Sequence, residues 1–405
     1  MKKIGILTYC KVANFGANLQ ALSTYYYLQN HGYNPIIIDW FPSDFEKRII
    51  HENSSIQSKA HFDFVNSNMN FTRLCRTSQD VVQVIEEENI HGVIIGSDAV
   101  LQHTPFFARL RPSRKSLLVY LKIDSTRQFP NPFWADWISE KKIPTAIMSA
   151  SNQGAKFYKY PKRTMHKMYQ CLSQLSYISV RDEWTKKMIE YVTNGQINPP
   201  ITPDPVFGLK YNCKDIIPSK EEIFDKFKIT KPYVLVSFRT PLLINGLGKT
   251  WFEELQNIFM SHGKECLLLP MPNGIPIKYA DMREITVPLS PIDWYALIQN
   301  ADAYIGQNMH PIVSALSNGT PFFCFDDYAS KKQDQKSKVA DILDIFSVGD
   351  NKVNVYRHGN IYPTPEYIYE KINDFHLRYN THQEQVYYSA YLEMMRSITS
   401  YFSKK

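Results

Sequence analysis

KIGILTYCKVANFGANLQALSTYYYLQNHGYNPIIIDW, Lys3 to Trp40, decides the fold class. KIGILTY is an apolar run of strand length, and CKVANFGAN reads as a loop. NLQALSTYYYLQNHG predicts a helix, with Leu19, Leu22 and Tyr26 on one face and Gly32 as its stop. NPIIIDW is the next strand. Strand, helix and strand in so short a span form a βαβ unit, which implies a parallel sheet.

The pattern repeats outward. HGVIIGSD, IPTAIMSAS and SYISVRDE are further buried strands, with a helix expected near Arg163 to Leu175 and ITPDPVF closing the first series. The stretch from Phe41 to Asp80 is polar and weakly patterned and reads as an excursion above the sheet. Ala99 to Lys142 is irregular, rich in Arg, Pro and aromatics. Between Gly208 and Lys231 lie a linker and a short helix. PYVLVSFR then opens a second series, continued by ECLLLP, DAYIG and TPFFCFD. Ser290, followed by Pro291 and Asp293, is a helix start. Ser337 precedes a second helix whose apolar face is Val339, Ile342, Leu343 and Phe346. A last helix, 384–402, carries Tyr391, Met395, Ile398 and Phe402 on one stripe that needs cover. The expected architecture is α/β: two Rossmann-like halves, residues 1–207 and 208–383, with the last helix packing back on the first.

Totals agree with two domains: 405 residues, 44% of them apolar. The net charge is a mild +7, with no basic block of the kind that marks a nucleic-acid arm. Such a field suits anionic small molecules or an anionic membrane face. Six cysteines are scattered without a C-x-x-C pair, which argues against a zinc ribbon and for buried free thiols. MKKIGILTY is too short for a secretory signal, and no run reaches the roughly 18 apolar residues of a membrane span. A cytoplasmic protein is expected. H-E-x-x-H, Walker and G-x-S-x-G motifs are absent, which removes zinc proteases, P-loop kinases and serine hydrolases of that type.

Ligands of open α/β sheets lie beyond the carboxyl ends of the strands. The residues there are Asn14, Gly16 and Asn18 in NFGAN, Ser97 and Asp98, Arg181 and Asp182, Asp204, Arg239, Asn308 and His310. NFGAN offers backbone N–H groups at a helix start, suited to phosphate, carboxylate or sugar oxygens, or forms a plain turn. Arg181 and Arg239 end apolar runs and can grip phosphate or carboxylate, or pair with an acid, Asp182 being the obvious neighbour of Arg181. Asp204, between prolines, reads first as a rigid turn. His310 sits at the seam of strand and helix in YIGQNMHPIVSALSNGTPFF, Tyr304 to Phe323, as a cap or as a proton-transfer group. Together they suggest an anionic ligand and one proton-transfer group.

The ordered stretches KIGILTYCKVANFGANLQAL, VIIGSDAV, SYISVRDEWT, TPDPVF, SPIDWYALIQNADAYIGQNMHPIVSALSNGTPFFCFDDY and SKVADILDIF resemble the polysaccharide pyruvyl transferase family. The resemblance implies a GT-B-like pair of facing domains. It also implies transfer of pyruvate from phosphoenolpyruvate, without a cofactor or metal, onto two hydroxyls of a sugar in a cell-surface polysaccharide or glycan precursor. The acceptor would be a sugar, an oligosaccharide or a lipid-linked glycan, met at the inner membrane face. Carried over, Arg181 and His310 are catalytic at the donor site, joined by Arg239, Asn308 and Lys338. Asn14, Gly16, Asn18, Ser97 and Asp98 fall on the facing acceptor wall. Pro311 follows the histidine where the family has Gly or Ala, and Leu101 replaces a tryptophan of the pattern G-S-D-x-x-W. A nucleotide-sugar glycosyltransferase and a non-catalytic glycan-binding protein are the alternatives on this architecture.

Overall fold

The computed structural model describes residues 1–46, 55–112, 119–121, 123–274, 281–326, 337–355 and 361–403. Its strands are β1 (Lys3–Leu7), β2 (Asn34–Ile37), β3 (Ile90–Ile95), β4 (Leu110–Pro112), β5 (Val119–Leu121), β6 (Thr145–Ala150), β7 (Tyr177–Val180), β8 (Tyr233–Ser237), β9 (Glu265–Leu268), β10 (Arg283–Glu284), β11 (Ala303–Gly306), β12 (Phe322–Asp326) and β13 (Lys352–Asn354). The longer helices are α1 (Phe15–Asn30), α2 (Ile56–Asn68), α3 (Ser78–Glu87), α4 (Lys162–Leu172), α5 (Glu183–Val192), α6 (Pro241–Ser261), α7 (Pro291–Gln299), α8 (Met309–Asn318), α9 (Lys338–Ile345), α10 (Pro365–Asn373) and α11 (Thr381–Ser403).

Two parallel sheets organise the chain. The first runs β2-β1-β3-β6-β7 and the second β10-β9-β8-β11-β12-β13. Strands such as TAIMSA and YVLVS are buried at every position. This is why they read as unbroken apolar runs: helices cover both faces of each sheet. Each sheet reverses its strand order once, between β1 and β3 and between β8 and β11. Those switch points are where an open α/β sheet leaves a crevice. The two facing lobes thus form the GT-B-like architecture.

The structure departs from expectation in three respects. First, α1 begins at Phe15, within the expected loop, and is buried on nearly all sides rather than on one face. It lies between the lobes, so only Tyr26 and its last residues, Gln29 and Asn30, meet water. Asn14 caps it by accepting from Ala17 N, and Gly32 takes the left-handed φ of 79° just past its end. Second, the stretch from 41 to 80 holds α2, which leaves the first lobe and grips the second. The Gln57 amide donates to Leu289 O (2.6 Å) and accepts from Leu289 N (2.7 Å). Third, α4 ends three residues earlier than expected, and the short edge strands β10 and β13 escaped the pattern.

The return of α11 onto the first lobe is as expected. Tyr391, Met394, Met395, Ile398 and Phe402 are buried along it, and Lys2 Nζ donates to Phe402 O at 2.8 Å. Gly92 in β3 makes room for the Phe402 ring, since a Cβ there would stand 2.4 Å from Cδ1. Ser290 and Ser337 cap α7 and α9 as the sequence indicates. All six cysteines are free thiols, and all but Cys171 are buried. Among the described residues, no helix is long and apolar enough to cross a membrane.

Candidate active site

A cavity of about 1000 Å³ opens between the lobes at the two switch points. From the first lobe it is lined by Asn14 and Gly16 after β1, Asp98 after β3 and Arg181 after β7. From the second it is lined by Arg239 after β8 and Asn308 and His310 after β11. The lobes touch where Gly16 meets His310: a Cβ on Gly16 would lie 2.0 Å from the imidazole Cγ. Beside that contact Phe15 stacks on Trp294, centroids 5.0 Å apart and planes 8° from parallel. Gly16 therefore serves the approach of the histidine, a use that its place in a turn did not reveal.

The second-lobe residues are held by local structure. Gln307, wholly buried, accepts from the backbone N–H of Arg239 (2.9 Å) and of Thr240 (3.1 Å). It ties the tips of β8 and β11 together. Asn308 then takes a left-handed φ of 83° and turns the chain into α8. His310 stands in the first turn of α8, where Pro311 is harmless because that N–H has no helical partner to lose.

Arg181 is buried, its guanidinium 2.7 Å from Asp204 and 3.6 Å from Asp98. Gln20 of α1 donates to the same Asp204 oxygen at 2.6 Å. Burial alone would lower the pKa of Arg181, but the carboxylates of Asp204, Asp98 and Asp182 outweigh it and raise the pKa. Asp204 does form a turn, accepting from Val206 N, and is an ion-pair partner as well. Asp182, the expected partner of Arg181, instead caps α5 by accepting from Thr185 N at 2.8 Å. Asp98 is held at a left-handed φ of 79° at the cavity wall.

Two residues expected on the acceptor wall do not line the cavity. Asn18 is fully buried under α2, donating to Val12 O and meeting His61 Nδ1, each at 3.1 Å. Ser97 is turned into the first lobe at 1% exposure, and its carbonyl accepts from the Thr8 hydroxyl. Leu101 is likewise in the core. Lys338 opens α9, and its neighbours Ser337 and Val339 line the cavity; its side chain lies outside the described residues.

Other wall residues were not singled out in the sequence: Gln102, Arg127 and Gln153, which lie outside the family stretches, and Tyr9, Trp184 and Trp294, which lie within them. Trp184 had a signal, standing two residues after Asp182 at the start of a helix. The first turns of α1, α8 and α9 all border the cavity. Their positive ends and Arg239 favour an anionic ligand, whereas Arg181 and Arg127 already face Asp204, Asp98 and Asp124. Among the described residues no three His, Cys, Asp or Glu side chains gather as a metal-binding group.

The model of the family described as polysaccharide pyruvyl transferase matches residues 14–327. Solved structures of similar fold include a candidate UDP-N-acetylglucosamine 2-epimerase from Listeria monocytogenes, with TM-score 0.57, 10% identity and coverage of 100% of this chain and 98% of that one. The UDP-GlcNAc 2-epimerase of Methanocaldococcus jannaschii gives 0.53, 11%, and 92% of each chain. That of Neisseria meningitidis bound to UDP-GlcNAc gives 0.52, 11%, and 99% of this chain and 100% of that one. At such identities the likeness is one of fold. No curated protein matches the chain.

Proposed function

The chain belongs to the polysaccharide pyruvyl transferase family, and on that premise we propose that it moves pyruvate from phosphoenolpyruvate onto two hydroxyls of a glycan sugar as a cyclic ketal. The observation that carries this reading is the meeting of His310 from one lobe with Gly16 from the other, in a cavity that Arg181 and Arg239 also line.

Phosphoenolpyruvate presents a carboxylate and a phosphate, which Arg239, Arg181 and the positive helix ends attract. His310 delivers a proton to the methylene carbon, which becomes methyl as the neighbouring carbon turns electrophilic. A sugar hydroxyl forms a C–O bond there, and Asp98 on the opposite wall is the group to take its proton. The C–O bond to phosphate then breaks as Asp98 passes its proton to the leaving oxygen, a second sugar hydroxyl adds, and His310 receives the last proton. Arginine and the helix ends stabilise the departing phosphate. Imidazole suits both proton steps because its charge changes near neutral pH.

The test is incubation of the purified protein with phosphoenolpyruvate and a glycan panel, following phosphate and the mass of the acceptor. Acceptor-dependent phosphate release with a mass gain is expected. His310→Ala should lower the rate by about 100-fold or more with an unchanged circular dichroism spectrum; full rate in that variant would refute its role. Release of a nucleoside diphosphate from a nucleotide sugar, with none from phosphoenolpyruvate, would mark a glycosyltransferase instead. Sugar binding without turnover of either donor would mark a binding protein.

A further inference from the structure

Gln153 and Gly154 line the cavity, and the chain that leaves them is basic. From Gln153 to Gln170 it carries Lys156, Lys159, Lys162, Arg163 and Lys167 and no acidic residue. All five are exposed. None makes an ion pair with a described residue. On α4, Met168 and Leu172 face the core, while Lys162, Arg163, His166 and Lys167 occupy the opposite side at helical spacing. Lys162 and Arg163 stand in the first turn, which holds no acid and no side-chain cap. A helix start disfavours cations, so folding gains nothing from this arrangement.

Aromatic groups accompany the charge. Tyr158, between Lys156 and Lys159, is 46% exposed, and Tyr191 of α5 is 45% exposed. Phe157 anchors the segment between Tyr191 (5.4 Å) and the cavity residue Trp184 (4.9 Å). Trp184 Nε1 also donates to Ala155 O at 3.0 Å. The charged face and the cavity mouth are therefore one rigid unit.

We propose that the face formed by Lys156–Lys167 and Tyr158 docks on an anionic lipid bilayer and so holds the first-lobe side of the cleft against the membrane surface. Cations spread over a convex helix and turn match a plane of lipid phosphates, and tyrosine is at home at a membrane interface. This rests on the transferase reading for its purpose: a lipid-anchored glycan would then enter from the membrane side, past Gln153 and Trp184.

Flotation of the full chain with vesicles tests it without donor or turnover, so docking and catalysis can fail independently. Binding to mixed phosphatidylglycerol and phosphatidylcholine vesicles is expected, lost in high salt and absent with phosphatidylcholine alone. Replacing Lys159, Lys162, Arg163 and Lys167 together by glutamine should weaken binding by about tenfold or more while sparing turnover of a soluble acceptor. Tyr158→Ala should weaken it less. Failure to bind anionic vesicles, or binding unchanged in the fourfold variant, overturns the proposal. Capture by a soluble polyanion such as polyphosphate, with no vesicle binding, overturns it in favour of an anionic polymer.

Discussion

Gly16 and His310 meet across the lobes at the cavity, and the pair makes a sharp prediction. Gly16→Ala places a carbon 2.0 Å from Cγ and 2.2 Å from Nδ1 of the imidazole, so the ring must move. A displacement near 1 Å can cost about 100-fold in rate. Steady-state assays should therefore show kcat falling far more than KM for phosphoenolpyruvate rises, in a protein of native circular dichroism. An unchanged kcat would mean that the ring position does not matter. Arg181 needs more care. Its removal leaves Asp204 buried and facing Asp98 without a cation, which costs about 3–5 kcal/mol of stability. Arg181→Lys keeps a charge but loses the planar fork. It should raise KM for phosphoenolpyruvate while shifting the urea midpoint less than Arg181→Ala does.

At the scale of elements, α2 is the bridge, and His61 is its pH-sensitive point. The ring is fully buried, with Nε2 3.0 Å from the carbonyl oxygen of Pro272 in the second lobe. Since a carbonyl only accepts, Nε2 carries the proton and Nδ1 accepts from the Asn18 amide. Burial lowers the pKa from 6.5 to about 4, the bond to Pro272 opposing it weakly. In that window the unfolded chain binds a proton that the folded chain refuses. Stability must fall as pH drops from 6.5 toward 4, by about 3 kcal/mol at full effect. Urea midpoints across that range should slope for the parent and slope less steeply for His61→Gln. His103, also lowered to about 4 by burial, contributes equally to both and cancels. Parallel slopes would show that His61 is not the origin. None of this was legible in the sequence. Gln57 and His61 lie in a polar, weakly patterned stretch because their partners are backbone groups of the other lobe, which leaves no apolar period behind.

At the scale of the molecule, α11 closes the first lobe from the far end of the chain. Its five buried side chains contribute on the order of 10 kcal/mol, comparable with the whole stability of an ordinary domain. A chain stopped before Thr381 should fail to give a folded monomer by circular dichroism and size exclusion. Phe402→Ala should cost about 3–5 kcal/mol, measured as a shift of the urea midpoint. A truncated chain that keeps its native spectrum would show that the return of α11 is dispensable. The stripe Tyr391, Met395, Ile398 and Phe402 was plain in the sequence, and so was its need for cover. The pocket made for it by Gly92 and Gly208 was not, because each of those glycines reads alone as a weak point in its own segment.

What the sequence by itself determined is everything governed by short-range periodicity. Strands buried on both faces, capped helices and the order of the two lobes follow from spacing that each segment carries within itself. That Asn14, Asp98, Arg239, Asn308 and His310 stand at strand tips also follows, since strand tips point the same way in a parallel sheet; Arg181, expected with the donor residues across the cleft from Asp98, stands instead on the first lobe, 3.6 Å from it. Only the tertiary structure decided which neighbours were turned away, as with Asn18 and Ser97, and which acid Arg181 met. Only it brought Gly16 under His310. Those outcomes depend on contacts between residues on separate elements, and no local pattern encodes how those elements meet or the distance across a cleft.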